Sequence, residues 1–166
     1  MRKNYLKDKD LRLWRLLVLV RSIISRARIR ELKNYNISFR SSTILHTVAF
    51  LGEKATPTTI AYTLLRSVSG VSEALSRLEK QGVIERNPNK KRRGGVIISI
   101  TENGGEKLNQ TMHITSIHKI MSVLSEKERE QLTTLLEKLW YKALEDLNIK
   151  SRHYIPLEFG PRTGNK

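Results

Sequence analysis

Residues 57–101, PTTIAYTLLRSVSGVSEALSRLEKQGVIERNPNKKRRGGVIISIT, hold two helical patterns and a basic hairpin in succession. The pattern from Ser67 to Gly82 is the clearest. Val71, Ala74, Leu75 and Leu78 fall at i, i+3, i+4 and i+7, which puts four apolar side chains on one side of a helix. The other side carries Ser69, Gly70, Ser72, Glu73, Ser76, Arg77 and Lys80. Small residues near a helix start let the backbone approach a groove closely, and hydroxyls bond to phosphates or base edges. A polar outer face is also what any surface helix presents, so the neighbouring segments decide between the two readings.

Upstream, Thr56 is placed to cap a helix with Pro57 at its first position, and Ile60, Ala61 and Leu64 form its buried stripe. Leu65, Arg66, Ser67 and Val68 read as a tight turn, with Ser67 as N-cap of the next helix. Downstream, Gly82 suits a left-handed helix end, and Val83, Ile84, Glu85 and Arg86 read as a short strand. Asn87 to Gly95 form a turn-rich tip, with Gly94-Gly95 as a hairpin turn, and Val96 to Ile100 return as a second strand. Four consecutive cations, Lys90, Lys91, Arg92 and Arg93, sit on that tip. Like charges on one loop repel unless a polyanion neutralises them. Two helices joined by a tight turn and followed by a basic hairpin make a winged helix-turn-helix suited to duplex DNA.

Composition agrees. The 166 residues suit one domain with an oligomerisation element, and 39% hydrophobic content supplies a core. The formal net charge of +15 points to nucleic acid or an anionic surface, and its distribution favours the former. Residues 1–50 carry 12 cations against 3 anions, residues 57–101 carry 8 against 3, and residues 102–150 carry 7 against 8. The excess therefore lies in the part of the chain that contains the candidate reader, while the C-terminal helices are nearly neutral. With no cysteine there are no disulfides, thiolate metal sites or thiol sensors. The longest apolar run, Leu16 to Val20, is too short to span a bilayer, so a cytoplasmic location is expected.

From about Asp10 to Asn34 the chain reads as one long helix with Leu13, Leu16, Leu17, Val20, Ile23, Ile24 and Ala27 as its stripe. Leu11, Trp14, Val18 and Leu19 widen the stripe around most of the circumference, so part of it is expected to pack on a second copy of the chain. Ser38 caps a second helix running to Leu51. Thr101 begins a helix carrying Leu108, Met112, Ile117, Ile120 and Leu124. Ser125 and Glu128 form a capping box for the last helix, expected to bury Leu132, Leu135, Leu136, Leu139 and Trp140. The expected fold is mainly α with a small β-hairpin. Its parts are an N-terminal dimerisation helix (1–36), a winged helix-turn-helix lobe (37–101), C-terminal dimerisation helices (102–148) and an irregular tail (149–166).

This order resembles the MarR family of winged-helix transcriptional regulators. The likeness is carried by Pro57-Thr58-Thr59-Ile60-Ala61, by Arg77-Leu78-Glu79-Lys80-Gln81-Gly82, by Val83-Ile84-Glu85-Arg86, and by Ile98-Ser99-Ile100-Thr101-Glu102-Asn103-Gly104. Leu124 to Arg129 resembles the start of the family's last helix. The resemblance implies a homodimer joined through its first and last helices, most often a repressor. Each recognition helix would enter a major groove and each wing a minor groove of a pseudo-palindromic operator. It also suggests a small-molecule effector held between dimer helices and DNA-binding lobe, whose identity the residues do not name.

Two departures stand out. The family's wing carries Asp-x-Arg, and Arg92 and Gly94 stand at those places, so Arg93 becomes the wing arginine only with a one-residue shift. Where the family often has Gly followed by an apolar residue in the helix turn, this chain has Leu65-Arg66, which leaves Arg66 as an added phosphate contact or a solvated turn residue. The candidate DNA-binding residues are therefore Arg66, Ser67, Ser69, Gly70, Ser72, Glu73 and Arg77, together with Lys90, Lys91, Arg92 and Arg93.

No phosphate-cradling Gly-rich loop, His-Glu-x-x-His or acid/base pair is present, and no enzyme activity or cofactor is expected. His113 and His118 are five apart, off the spacing that aligns metal ligands on one helix face, and His46 is on another helix. Two rival readings remain at this level. One is a nonspecific architectural DNA- or RNA-binding protein, and the other is a protein-interaction winged helix whose charge is incidental.

Overall fold

The computed structural model describes residues 7–89 and 94–149. Helix α1 (Lys9–Lys33) starts at Asp8, whose carboxylate accepts from the backbone N–H of Asp10 and Leu11 at 2.9 and 3.0 Å. Helix α2 (Phe39–Leu51) has Ser38 as its N-cap, and a 3-10 turn (Gly52–Lys54) follows. Helix α3 (Pro57–Thr63) opens with a reciprocal cap in which the Thr56 and Thr59 side chains serve each other's backbone N–H. Helix α4 (Val68–Lys80) is capped by Ser67. Strands β1 (Ile84–Pro88) and β2 (Val96–Ile100) form an antiparallel pair, and helices α5 (Glu102–Met112), α6 (Thr115–Met121) and α7 (Glu126–Asp146) complete the chain.

One core holds α2, α3, α4 and the hairpin together. Ile44, Leu45, Val48, Ile60, Ala61, Val71, Ala74, Leu75, Leu78, Val83, Ile84 and Ile98 are buried in it, with Leu64 and Leu108 packed at its edge. Each fully buried Leu or Ile contributes about 1.5–3 kcal/mol. The hairpin register pairs Ile84 with Ile100 and Pro88 with Val96, so Asn87 and Pro88 belong to the first strand and not to the tip. Pro88 ends the strand, where its missing N–H costs least. The Ile98 N–H donates to the Ala55 carbonyl at 2.7 Å, anchoring β2 to the loop before α3.

The helix expected from Thr101 through Leu124 is two helices. Backbone at His113 is extended (φ −71°, ψ 104°), and a residue of α1 makes the break affordable. Arg28 donates to the Thr111 and His113 carbonyls that the break releases, the latter at 2.6 Å. Ile114 gives α6 no side-chain cap, and Glu31 supplies one from across the fold, accepting from the Ser116 N–H at 3.1 Å and the Ser116 hydroxyl at 2.7 Å. Arg28 and Glu31 also pair with each other at 2.7 Å. Burial pushes the Glu31 carboxyl up, but hydrogen bonds from Ser116 and Arg28 outweigh it and hold the group below its ordinary 4.5. Thr111, fully buried, shares a 3.0 Å hydrogen bond with His46. His113 stacks on Tyr35.

The last helix has the expected capping box at Ser125 and Glu128, but not the expected burial. Leu132, Leu135, Leu136 and Leu139 are 40–60% exposed in the single chain, and Leu144 is the buried residue of α7. Helix α1 is similar: of its 25 residues, Arg28 and Leu32 are buried, while Leu16, Leu19 and Ile23 stand open. No described helix is long and apolar enough to cross a membrane.

Candidate nucleic-acid interface

Helix α4 presents the face expected from its periodicity. Val71, Ala74, Leu75 and Leu78 are buried, while Ser69, Glu73, Arg77 and Lys80 are exposed and Gly70, Ser72 and Ser76 are half-buried. The turn before it needs one left-handed residue, and Leu65 takes that conformation at φ 52°, at the place where glycine would be unstrained. Arg66 follows, exposed, with its N–H on the Ala61 carbonyl at 2.9 Å. Ser67 accepts from the Gly70 N–H at 3.3 Å, so its hydroxyl is engaged in ending the turn.

Glu73 has a partner in the chain. Arg77 lies one turn on and pairs with it at 3.0 Å, both side chains well exposed. At such exposure the pair contributes about 0.3–0.5 kcal/mol, which a stronger partner for either group easily replaces. Lys90, Lys91, Arg92 and Arg93, with the choice between Arg92 and Arg93 as wing arginine, lie outside the described residues.

Three contacts that position this helix come from residues the sequence reading passed over. Arg40, on the first turn of α2, donates to the Gly70 carbonyl at 3.1 Å. A Cβ built on Gly70 would stand 3.1 Å from that guanidinium and 3.0 Å from the Ser67 hydroxyl, so the small residue leaves room for the grip as well as for a groove. Arg86 of β1 donates to the Ser76 hydroxyl at 3.0 Å and pairs with Glu79 at 3.3 Å, tying the hairpin to the side of α4. At the far end, Gly82 (φ 64°) turns the chain, and Thr101 donates to the Gly82 carbonyl at 2.7 Å while capping the Gly104 N–H at 3.0 Å. Gly104 has no alternative: a Cβ there would lie 1.9 Å from the Val83 carbonyl oxygen. The spacing from Thr101 to Gly104 thus locks both ends of the hairpin to the end of α4. In an isolated sequence Arg40 and Arg86 carry no such signal, because each contact joins residues of different elements, 7 to 30 positions apart.

Residues 40–104 match the family described as a winged helix DNA-binding domain. No curated protein matches the sequence. Among solved structures, the organohalide-sensing transcriptional regulator RdhR-CbdbA1625 in its 2,4-dichlorophenol-bound form is 27% identical, covering 92% of each chain with a TM-score of 0.80. MarR from E. coli, as a mutant complexed with operator DNA, shares the fold at 23% identity and a TM-score of 0.71, over 79% of this chain and 95% of that one. AbsC of Streptomyces coelicolor, a MarR family regulator, does so at 18% and 0.74, over 82% and 95%. A matched reader domain, a helix-turn-helix with its polar face outward and these structural likenesses lead to one assignment: residues 40–104 are a winged-helix DNA-binding domain, in a chain with the fold of the MarR-family regulators.

Proposed function

We propose that this protein is a transcriptional regulator, a homodimer that binds a pseudo-palindromic operator sequence-specifically and acts as a repressor in the cytoplasm. The observation that carries the reading is the open apolar surface of α1 and α7 beside a lobe already closed on itself. Exposed leucines at helical spacing on two long helices are the material of a two-fold seam. A dimer built on it would set its two α4 helices about one DNA turn apart, roughly 34–36 Å. The relative seen with operator DNA supports duplex binding, and the relative seen with 2,4-dichlorophenol supports a small-molecule effector for this chain as well.

In this reading Ser69, Ser72 and Arg77 face the base edges, Gly70 permits close approach, and Ser67 and Arg66 lie nearest the phosphates. Glu73 accepts from a cytosine amino group or stays with Arg77. Lys90, Lys91, Arg92 and Arg93 serve the wing, where each phosphate neutralised adds about −0.9 to the log-log salt slope. Removing one contacting wing cation flattens the slope by about 2 for a dimer. The test joins sedimentation with operator competition at fixed salt. A dimer at micromolar concentration that prefers one duplex over random DNA is expected; a stable monomer, or equal competition by all duplexes, overturns the reading.

A further inference from the structure

We propose that Leu65, in the turn between α3 and α4, is a specificity-determining residue that reads thymine by its C5-methyl group. The turn closes on the end of α3 through two hydrogen bonds: the Leu65 N–H donates to the Tyr62 carbonyl at 3.1 Å, and the Arg66 N–H donates to the Ala61 carbonyl at 2.9 Å. In a helix end of this pattern the left-handed residue is ordinarily glycine, and the residue after it is apolar and packs back on the helix it leaves. Here the two residue types are exchanged. Leucine holds the left-handed place at φ 52°, and an exposed arginine holds the place that packs back. A bulky side chain is strained in that conformation. Little within the chain offsets the strain, because Leu65 is 50% exposed and stands at the edge of the core. An uncompensated outlier of this kind points to a role outside the fold.

The surroundings say what the leucine meets. Tyr62, Leu65 and Val68, three positions apart in sequence, are all exposed, and Arg66, Ser67 and Ser69 interleave with the last two. An apolar tip with a cation and hydroxyls beside it thus runs directly into the outward face of α4. Among the groups a duplex displays in its major groove, the thymine methyl is the apolar one. Leu65 lies against that methyl, and Arg66, next in the chain, takes a neighbouring phosphate. The inference rests on the DNA-binding reading of the α4 face above. It adds to the hydroxyls and Arg77 of that face a contact that makes no hydrogen bond and so separates thymine from cytosine by shape alone.

The experiment enriches a duplex from a randomised pool with the full chain, then replaces its thymines one position at a time with deoxyuridine, which lacks only the methyl group. At one thymine or more, deoxyuridine should lower wild-type affinity about fourfold, the worth of one buried methyl. Leu65→Gly should weaken binding of the thymine duplex by at least that factor and hold the thymine and deoxyuridine duplexes equally at that position. The same substitution should raise the melting temperature of the free protein by about 2–4 °C, since glycine takes the left-handed place without strain. A leucine with a structural role only would move the melting temperature the other way and leave the thymine profile as it was. An enriched duplex indifferent to deoxyuridine at every position, a methyl preference that survives Leu65→Gly, or a melting temperature that Leu65→Gly does not raise overturns the proposal and leaves DNA binding standing. A chain that enriches no duplex from the pool overturns the DNA-binding reading along with it.

Discussion

The lobe and the long helices are built from the same amphipathic material and end in opposite states. In α4 the apolar stripe is covered within the chain, with Val71 and Leu75 fully buried, whereas Leu16 of α1 and Leu135 of α7 are 57% and 60% exposed. Periodicity states that a face requires a cover; it does not state which chain supplies the cover. The lobe closes because α2, α3, α4 and a hairpin meet around one core, and Thr101, Asn103 and Gly104 pin the exit. Helices α1 and α7 have no such enclosure within the chain, and in the proposed dimer their stability is tied to association.

The comparison breaks most severely at Gly104. Replacing it with Ala drives a methyl into the Val83 carbonyl, and a loss of about 3 kcal/mol or more is expected in denaturant unfolding, since backbone has little room to yield. A wild-type midpoint would show that α5 slides away freely. The opposite region is broken by Leu16→Glu with Leu139→Glu, which should leave the lobe core untouched yet yield monomers in sedimentation. Operator affinity should then fall by at least about 100-fold, because two linked half-site contacts become one. Retained dimers would place the seam elsewhere.

A finer distinction comes from Arg77→Ala. It removes an exposed pair, so folding stability should change by less than about 0.5 kcal/mol, while discrimination at one operator position drops by about 1–3 kcal/mol. An unchanged binding-site profile would assign Arg77 to solvent. The smallest effect is expected where the two regions join. Burial and the charge of Arg28 hold His46 below its ordinary 6.5, against a hydrogen bond with Thr111 that favours the charged ring. The unfolded chain then takes up a proton that the folded one refuses, so stability is full above pH 6.5 and declines as pH falls below it. Glu31, also depressed, contributes stability that is lost further down, starting below its ordinary 4.5. His46→Gln should remove the upper part of this acid dependence in melting curves and leave the lower part.

The local signals read true where local chemistry sets the outcome. Ser38, Thr56, Ser67 and Ser125 each cap the helix that begins after them, and Val96 to Ile100 is a strand to the residue. The stripe of α4 was equally plain. What escaped depends on distant partners. The apolar pattern runs on past Met112 without Gly or Pro, so nothing local marks the break at His113; the cause is an arginine some 85 positions earlier. Arg40 and Arg86 read as ordinary surface cations until the fold brings them against Gly70 and Ser76. The candidate interface was thus legible as a face, and the struts that aim it were not.

The clasp of Arg28 and Glu31 gives α1 a mechanical character. A helix of this length is about 37 Å long, and the clasp fastens it near its C-terminal end to the junction of α5 and α6, while its open leucines crowd the other end. The helix is therefore a long arm with its pivot at Arg28. Tilting that arm by about 5° carries its far end roughly 2.5 Å, so a small adjustment of the four hydrogen bonds at the pivot is magnified along its length. In the proposed dimer, where the far end would be seated on a partner, the same geometry would run backwards: the pivot, and with it each DNA-binding lobe, would swing instead of the arm.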